Sequence, residues 1–154
     1  MTDPSILERI QSDLTVAMKA RDADTLSTLR MLKAALMEAK TRKAKDAVLG
    51  PDEEIDVLQR YAKKRREVIE EWRKVGRADL VASEEREIAV TQRYLPQGAS
   101  EDELRALVRE AVVRTGATGP KDAGKVIGAV MAQVKGRAEG GTVSRLVKEA
   151  LPPA

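Results

Sequence analysis

Apolar residues recur along this chain at helical spacing and nowhere in sustained strand alternation. Ile6, Leu7, Ile10, Leu14 and Ala17 share one face of a 3.6-residue repeat, and Asp3 with Pro4 suits a cap and a first helical turn. A second helix follows from Asp24 as cap, with Leu26, Leu29, Leu32, Leu36 and Ala39 in step, fading into "KTRKAK". The turn "LGPDEE" opens a third: Pro51 at its start, acids in its first turn to suit the helix dipole, and Ile55, Leu58, Ala62, Ile69 and Trp72 along one stripe until Gly76. A fourth runs from about Leu80 to Arg93, and Pro96 and Gly98 in "YLPQGAS" then interrupt any helical pattern.

Beyond that break, Ser100 and Glu103 make a capping box for a fifth helix carrying Leu104, Leu107, Val108, Ala111 and Val112, closed by Gly116. Val126, Ile127, Val130 and Val134 continue the helical period, and after "KGRAEGG" a last short helix places Val143, Leu146, Val147 and Ala150 on one face before Pro152. The pattern predicts an all-α protein with an N-terminal helical module, residues 1–95, and a smaller three-helix tail module, residues 96–154. The tail is close to the size at which one core is marginal, so docking or a partner is expected to support it.

Composition agrees with helices and narrows the chemistry. Among 154 residues there is no Phe, one Trp and two Tyr, so the core must be built from Leu, Val, Ile, Ala and Met. There is no Cys and no His, which removes disulfides, the commonest general base, the usual thiol nucleophile and the best zinc ligands. No metal, no cofactor and no catalytic residue is expected. A Ser-Lys dyad is conceivable, but Ser100 fits a cap, and Ser27 and Ser144 sit in helices without a glycine-rich strand-turn. The acid clusters "PDEEID" and "SEEREIA" are expected to be solvated structure facing Lys and Arg. No apolar run approaches a membrane span, and "MTDPSILERI" lacks a basic segment ahead of a long apolar one, so no membrane association and a cytoplasmic location are expected.

Charge is nearly balanced, 28 Lys and Arg against 25 Asp and Glu. Its distribution is less even. Residues 119–154 hold six basic groups, Lys121, Lys125, Lys135, Arg137, Arg145 and Lys148, against three acidic ones. The outer face of "QRYAKKRREVIEEW" reads as a solvated helix surface, whereas Arg65 falls among Leu58, Ala62, Ile69 and Trp72 and should be covered by its own stem or paired with an acid at the module interface. In "KTRKAK", Lys40, Arg42, Lys43 and Lys45 suit a helix C-terminus.

One stretch, "GPKDAGKVIGAVMAQVKGRAEGG", imitates a phosphate-binding loop through Gly119, Gly124 and Lys125. That interpretation fails, because a charged amphipathic helix precedes it where a buried strand is required, and Val126 stands where a magnesium-binding hydroxyl is needed. Gly124 and Gly128 then lie inside a helix, four residues apart. Helical glycine costs roughly 0.5–1 kcal/mol relative to alanine, so something is expected to approach this backbone closely. Two candidates remain: a neighbouring helix, or a phosphate backbone flanked by Lys121 and Lys125 with the amides of "KGRAEGG" nearby.

"KDAGKVIGAVMAQVKGRAEGGTVSRLVKEAL" resembles the tail of the GatB/YqeY family, and "KARDADTLSTLRMLKAAL", "KKRREVIEEWRKVGRADL" and "REIAVTQRYLPQ" resemble its other segments in the same order. Ile127, Glu139 and Thr91 stand where Met, Asp and Leu are usual, which bears on local packing and the glycine turn. The resemblance implies a stand-alone YqeY-like protein, related to the C-terminal helical and tail domains of the aspartyl/glutamyl-tRNA amidotransferase B subunit, whose tail contacts tRNA. It implies a tRNA-binding accessory module linked to a tRNA-dependent amidotransferase or a glutaminyl-tRNA synthetase. Backbone contact is assigned to Lys121, Gly124, Lys125, Gly128, Lys135, Arg137, Arg145 and Lys148. The alternative is a protein-interaction adaptor docking on such an enzyme. The weakest is carbon–nitrogen ligase activity with glutamine as amido donor, which the family name suggests and no residue here supports.

Overall fold

A computed structural model describes residues 3–153, and among them lie seven α-helices, one turn of 3-10 helix and no strand. The helices are α1 (Ile6–Lys19), α2 (Ala23–Thr41), α3 (Pro51–Lys74), α4 (Ala78–Gln92), α5 (Glu101–Thr115), α6 (Ala123–Gln133) and α7 (Gly140–Ala150), with the 3-10 turn at Pro120–Asp122. The all-helical class expected from the period is the class found. The chain divides into two compact units, residues 1–95 and 96–154. No helix among the described residues is long and apolar enough to cross a membrane.

In the first unit α1 packs on α2, and α3 and α4 close over α2. The predicted stripes supply most of the core: Ile6, Ile10, Ala17, Leu29, Leu32, Leu36 and Leu58 are buried together with Val90 and Tyr94, which no predicted stripe contained. Two buried threonines do not violate it. The Thr28 hydroxyl donates to the Asp24 carbonyl (3.3 Å) and that of Thr91 to the Glu87 carbonyl (2.8 Å), so each polar atom is satisfied inside its own helix. Thr91 therefore fills a leucine-like position without an orphaned hydroxyl.

The ends of α1 depart from expectation. Ser5, not Asp3, is the cap: its hydroxyl accepts from the Glu8 amide (3.1 Å), and the Glu8 carboxylate accepts from the Ser5 amide (2.9 Å). The next two amides, Ile6 and Leu7, donate to Glu54 of α3 at 3.1 and 2.9 Å. Glu54 is 3% exposed, so the expectation that "PDEEID" is solvated fails at this residue. A buried carboxylate is tolerated here because it meets two unpaired amides at the positive end of a helix. Helix α2 is capped by Asp22 through the Thr25 amide (3.2 Å), two residues before the expected Asp24.

In the second unit α5, α6 and α7 pack pairwise. Leu104, Val108 and Ala111 of α5 meet Val126, Val130 and Val134, and these meet Val143, Leu146 and Val147 of α7. Gly116 closes α5 in the left-handed region at φ 70°, as its position past the last apolar residue predicts. Ala150, expected on the buried face of α7, is exposed, and Leu151 is buried in its place. The cause is the extended conformation of Leu151 at the helix end, which turns its side chain back into the core.

Replacing Glu54 with Ala leaves two helix-end amides without acceptors and should lower the stability of the first unit by about 1–3 kcal/mol, more than Ser5→Ala at about 1 kcal/mol. Urea unfolding of both variants measures the difference; equal, near-zero losses would contradict the capping role.

Candidate nucleic-acid interface

Burial of the α6 valine stripe fixes what the helix turns outward. At 3.6 residues per turn, Gly124, Gly128 and Ala132 lie roughly opposite Val126, Val130 and Val134, with Lys121 and Lys125 beside them. Gly124, Lys125, Gly128, Ala132 and Lys121 are all exposed. A Cβ placed on Gly124 or Gly128 would meet nothing within 4 Å. Among the described residues of the second unit nothing packs on the strip, which removes a helix of that unit as the explanation for its glycines. Ala132 extends the flat face by one more turn, to about 12 Å along the axis at 1.5 Å per residue.

The strip is cationic but not uniformly so. Asp122 lies between the two lysines, and its carboxyl is held below the usual carboxylate range, first by the Thr118 amide (2.9 Å) and then by Lys125 and Lys121. The lysines face one carboxylate that is already engaged by backbone. Positive charge at the start of α6 is reinforced by the helix dipole.

The eight residues assigned from sequence do not converge on one place. Lys121, Gly124, Lys125 and Gly128 form the strip at the N-terminal half of α6, while Lys135 and Arg137 lie in the turn beyond its far end. The expectation of "KGRAEGG" amides close to the strip lysines is corrected accordingly. Arg137 is also not a spare surface cation. Its guanidinium donates to both Glu103 carboxylate oxygens (2.8 and 2.9 Å) and to the Gln97 carbonyl (3.2 Å), and its own carbonyl accepts from the Ala99 amide (2.7 Å). It clasps the segment entering α5. Glu103 is thereby drawn away from Ser100, which accepts from the Glu103 amide (3.1 Å) while the return half of the expected capping box is missing. Arg145 is engaged as well, with Glu101 at 3.2 Å and Glu149 at 3.1 Å. Lys148 is exposed and borders a concavity at the start of α6.

Polar residues of the first unit mostly serve its structure. Lys43 donates to the Val48 carbonyl (2.9 Å) and to Glu53 of α3 (2.7 Å), and Arg42 pairs with Glu38 of α2 (2.6 Å), which ties two of the four basic groups of "KTRKAK" to the surrounding backbone and helix ends. Arg65 finds its acid on α4 within this unit, not at a boundary between modules: it meets Glu84 at 3.3 Å and lies over the Tyr61 ring at 5.5 Å. The Tyr61 hydroxyl donates to Glu87 (3.0 Å). Burial, then the neighbouring Glu87, push the Glu84 carboxyl above its usual range despite Arg65, and burial with Glu87 pushes the Tyr61 phenol up. These acids form a polar contact between α3 and α4, in which the buried Arg65 Nε has no hydrogen-bond partner among the described residues. Among the described residues no group of three or more potential ligands is placed to hold a metal.

The family profile described as Yqey-like protein matches residues 7–151, and the chain belongs to that family. Over 150 residues, 94% of this chain and 80% of the relative, it is 33% identical to a Pyrenophora tritici-repentis protein named "Altered inheritance of mitochondria protein 41, mitochondrial". Over 97 residues, 63% of this chain and 77% of the relative, it is 33% identical to an uncharacterized protein of Schizosaccharomyces pombe. Neither name states an activity.

Arg137→Ala should cost the second unit about 1 kcal/mol, because it removes a partly exposed charge pair, made by one guanidinium nitrogen to both Glu103 oxygens, and a backbone anchor together. Gly128→Ala should instead stabilise by about 0.5–1 kcal/mol, since its Cβ enters open space in a helix interior. Thermal melting of the two variants checks both signs. A second expectation concerns acidity. With its folded value raised, Glu84 contributes stability that is complete below its ordinary value near 4.5 and lost as pH rises through the folded value. Glu84→Gln should therefore remove a downward trend in stability over that window; superimposable pH profiles would contradict it.

Proposed function

We propose that the chain is an accessory RNA-binding module that holds a tRNA backbone on the outward face of α6. The observation that carries this is the pair of helical glycines, Gly124 and Gly128, with open space beyond them and exposed Lys121 and Lys125 alongside. Each glycine costs helix stability that no packing among the described residues of the second unit recovers. A flat, cationic helical face suits a phosphate backbone, which needs close approach to main chain and positive charge, and carries no base-reading side chains. The absence of His and Cys from the sequence is in keeping with a binding role. The partners proposed are tRNA and, through it, a glutaminyl-tRNA synthetase or a tRNA-dependent amidotransferase.

A specific observation favours one second reading. Val16, Met18 and Met31 of the first unit are each more than half exposed, as a protein-docking adaptor would require. Salt separates the two: backbone binding weakens steeply with ionic strength, and apolar docking does not.

Lys121→Ala with Lys125→Ala should weaken binding to every tRNA alike and flatten the salt dependence by roughly one counterion unit per lost contact. Gly128→Leu should melt no lower than the wild type and should weaken RNA binding. Fluorescence anisotropy across a salt series, paired with melting, provides the test. Unchanged affinity in the double lysine variant would overturn the proposal, and so would RNA binding by Gly128→Leu at wild-type strength.

A further inference from the structure

A hollow of about 470 Å³ lies between the start of α6 and the end of α7. It is lined by Pro120, Ala123, Lys148, Glu149, Leu151 and Pro153. Leu151 is buried and belongs to the core of the unit, and Ala123 packs against that core, so the floor is apolar and rigidly held. Pro120 and Pro153 are exposed and offer flat aliphatic rings at the walls. The volume falls within the range of about 300–1,000 Å³ typical of small-ligand sites.

The rim carries an uneven charge. Glu149, the acid at the rim, is already committed to Arg145 at 3.1 Å and to Arg105 at 3.7 Å. It does not neutralise the exposed Lys148 beside it. Lys121 follows Pro120 directly, and the neighbouring Asp122 carboxylate is held by the Thr118 amide at 2.9 Å. An apolar floor with a cationic rim selects a ligand with a flat apolar body and an attached negative charge. A nucleotide has that form.

We infer that this hollow receives an unpaired nucleotide at the end of an RNA whose backbone lies along Gly124 and Gly128, the base packing on Pro120, Leu151 and Pro153 and the phosphate meeting Lys148. The assignment rests on the backbone-binding function proposed above. It adds to it a preference for RNA with a single-stranded end, which a backbone strip alone does not confer. The rim decides for a nucleotide over an acyl chain: Pro120 and Pro153 offer flat exposed ring faces to a planar base, and Lys148, with Lys121 next to Pro120 in sequence, supplies the positive charge a phosphate needs.

The test compares two RNAs that share one duplex, one blunt and one with a short unpaired extension, by anisotropy at low salt with the full chain. The wild type should prefer the extended RNA by about five- to tenfold, the low end of what one stacked base contributes. Pro153→Glu, at an exposed position, should abolish that preference while blunt-duplex binding and melting persist; Lys148→Ala should reduce the preference. Equal affinity of the wild type for the two RNAs, with salt-dependent binding of both, overturns the nucleotide pocket and leaves the backbone strip standing. Failure of both RNAs to bind overturns strip and pocket together. Loss of the preference on adding dodecanoate, with no effect of a free nucleoside monophosphate, identifies an acyl site and also overturns the assignment.

Discussion

The candidate interface depends on the burial of one stripe, Val126, Val130 and Val134, between α5 and α7. Those three side chains are fully buried, and a helix has one rotation about its axis that puts them inward. Once it is set, Gly124, Lys125, Gly128 and Ala132 have to face away. The flat cationic strip is therefore produced by the hydrophobic packing of its opposite face, at no cost to the core. Arg137 then fixes the far end by clasping Glu103 and the Gln97 carbonyl, so the helix that presents the strip is anchored by charge at one end and by valines along its length.

The first unit solves a related problem with an acid. A core of aliphatic residues cannot satisfy helix ends that run into it, and α1 begins at the buried Ile6. Glu54 reaches across from α3 to take the Ile6 and Leu7 amides, which turns a buried charge into a cap. Tyr94 does similar service at the close of the unit, donating its hydroxyl to Asp13 beneath the Arg9 guanidinium. Each of these polar groups is occupied by a structural partner. Both units thus spend charges on holding themselves together, and the second also presents Lys121 and Lys125 on the face away from its valines.

Periodicity made the fold legible because each helix buries a stripe that sequence spacing alone can trace. Leu104, Val108 and Ala111, or Leu29, Leu32 and Leu36, need no knowledge of their partners to be placed inside. Caps were less legible. Ser5 and Asp22 replace Asp3 and Asp24 because a helix starts where a side chain can reach an unpaired amide, and several acids and hydroxyls near each start offered that locally. Glu54 was missed because its partners lie 47 and 48 residues earlier in the chain, although its register with Leu58 and Ala62 was a sign of burial. Arg137 was misjudged for the same reason, since its acid is 34 residues away. In the strip, the glycines and Lys121 and Lys125 were visible from spacing, but whether a helix covered them was a tertiary question. Ala132 escaped notice because an alanine carries no charge and no conformational signature.

The central claim is that RNA backbone lies on Gly124 and Gly128, and it is tested most directly at those residues. The chain holds ten glycines, so selective labelling of glycine with nitrogen-15 gives a spectrum of ten amide signals or fewer that can be followed during titration with tRNA. The account predicts that the Gly124 and Gly128 signals shift first, and that added salt reverses the shift, while Gly50 and Gly76 of the first unit stay in place. Shifts confined to Gly50 and Gly76, or a spectrum unmoved by tRNA at low salt, would contradict it.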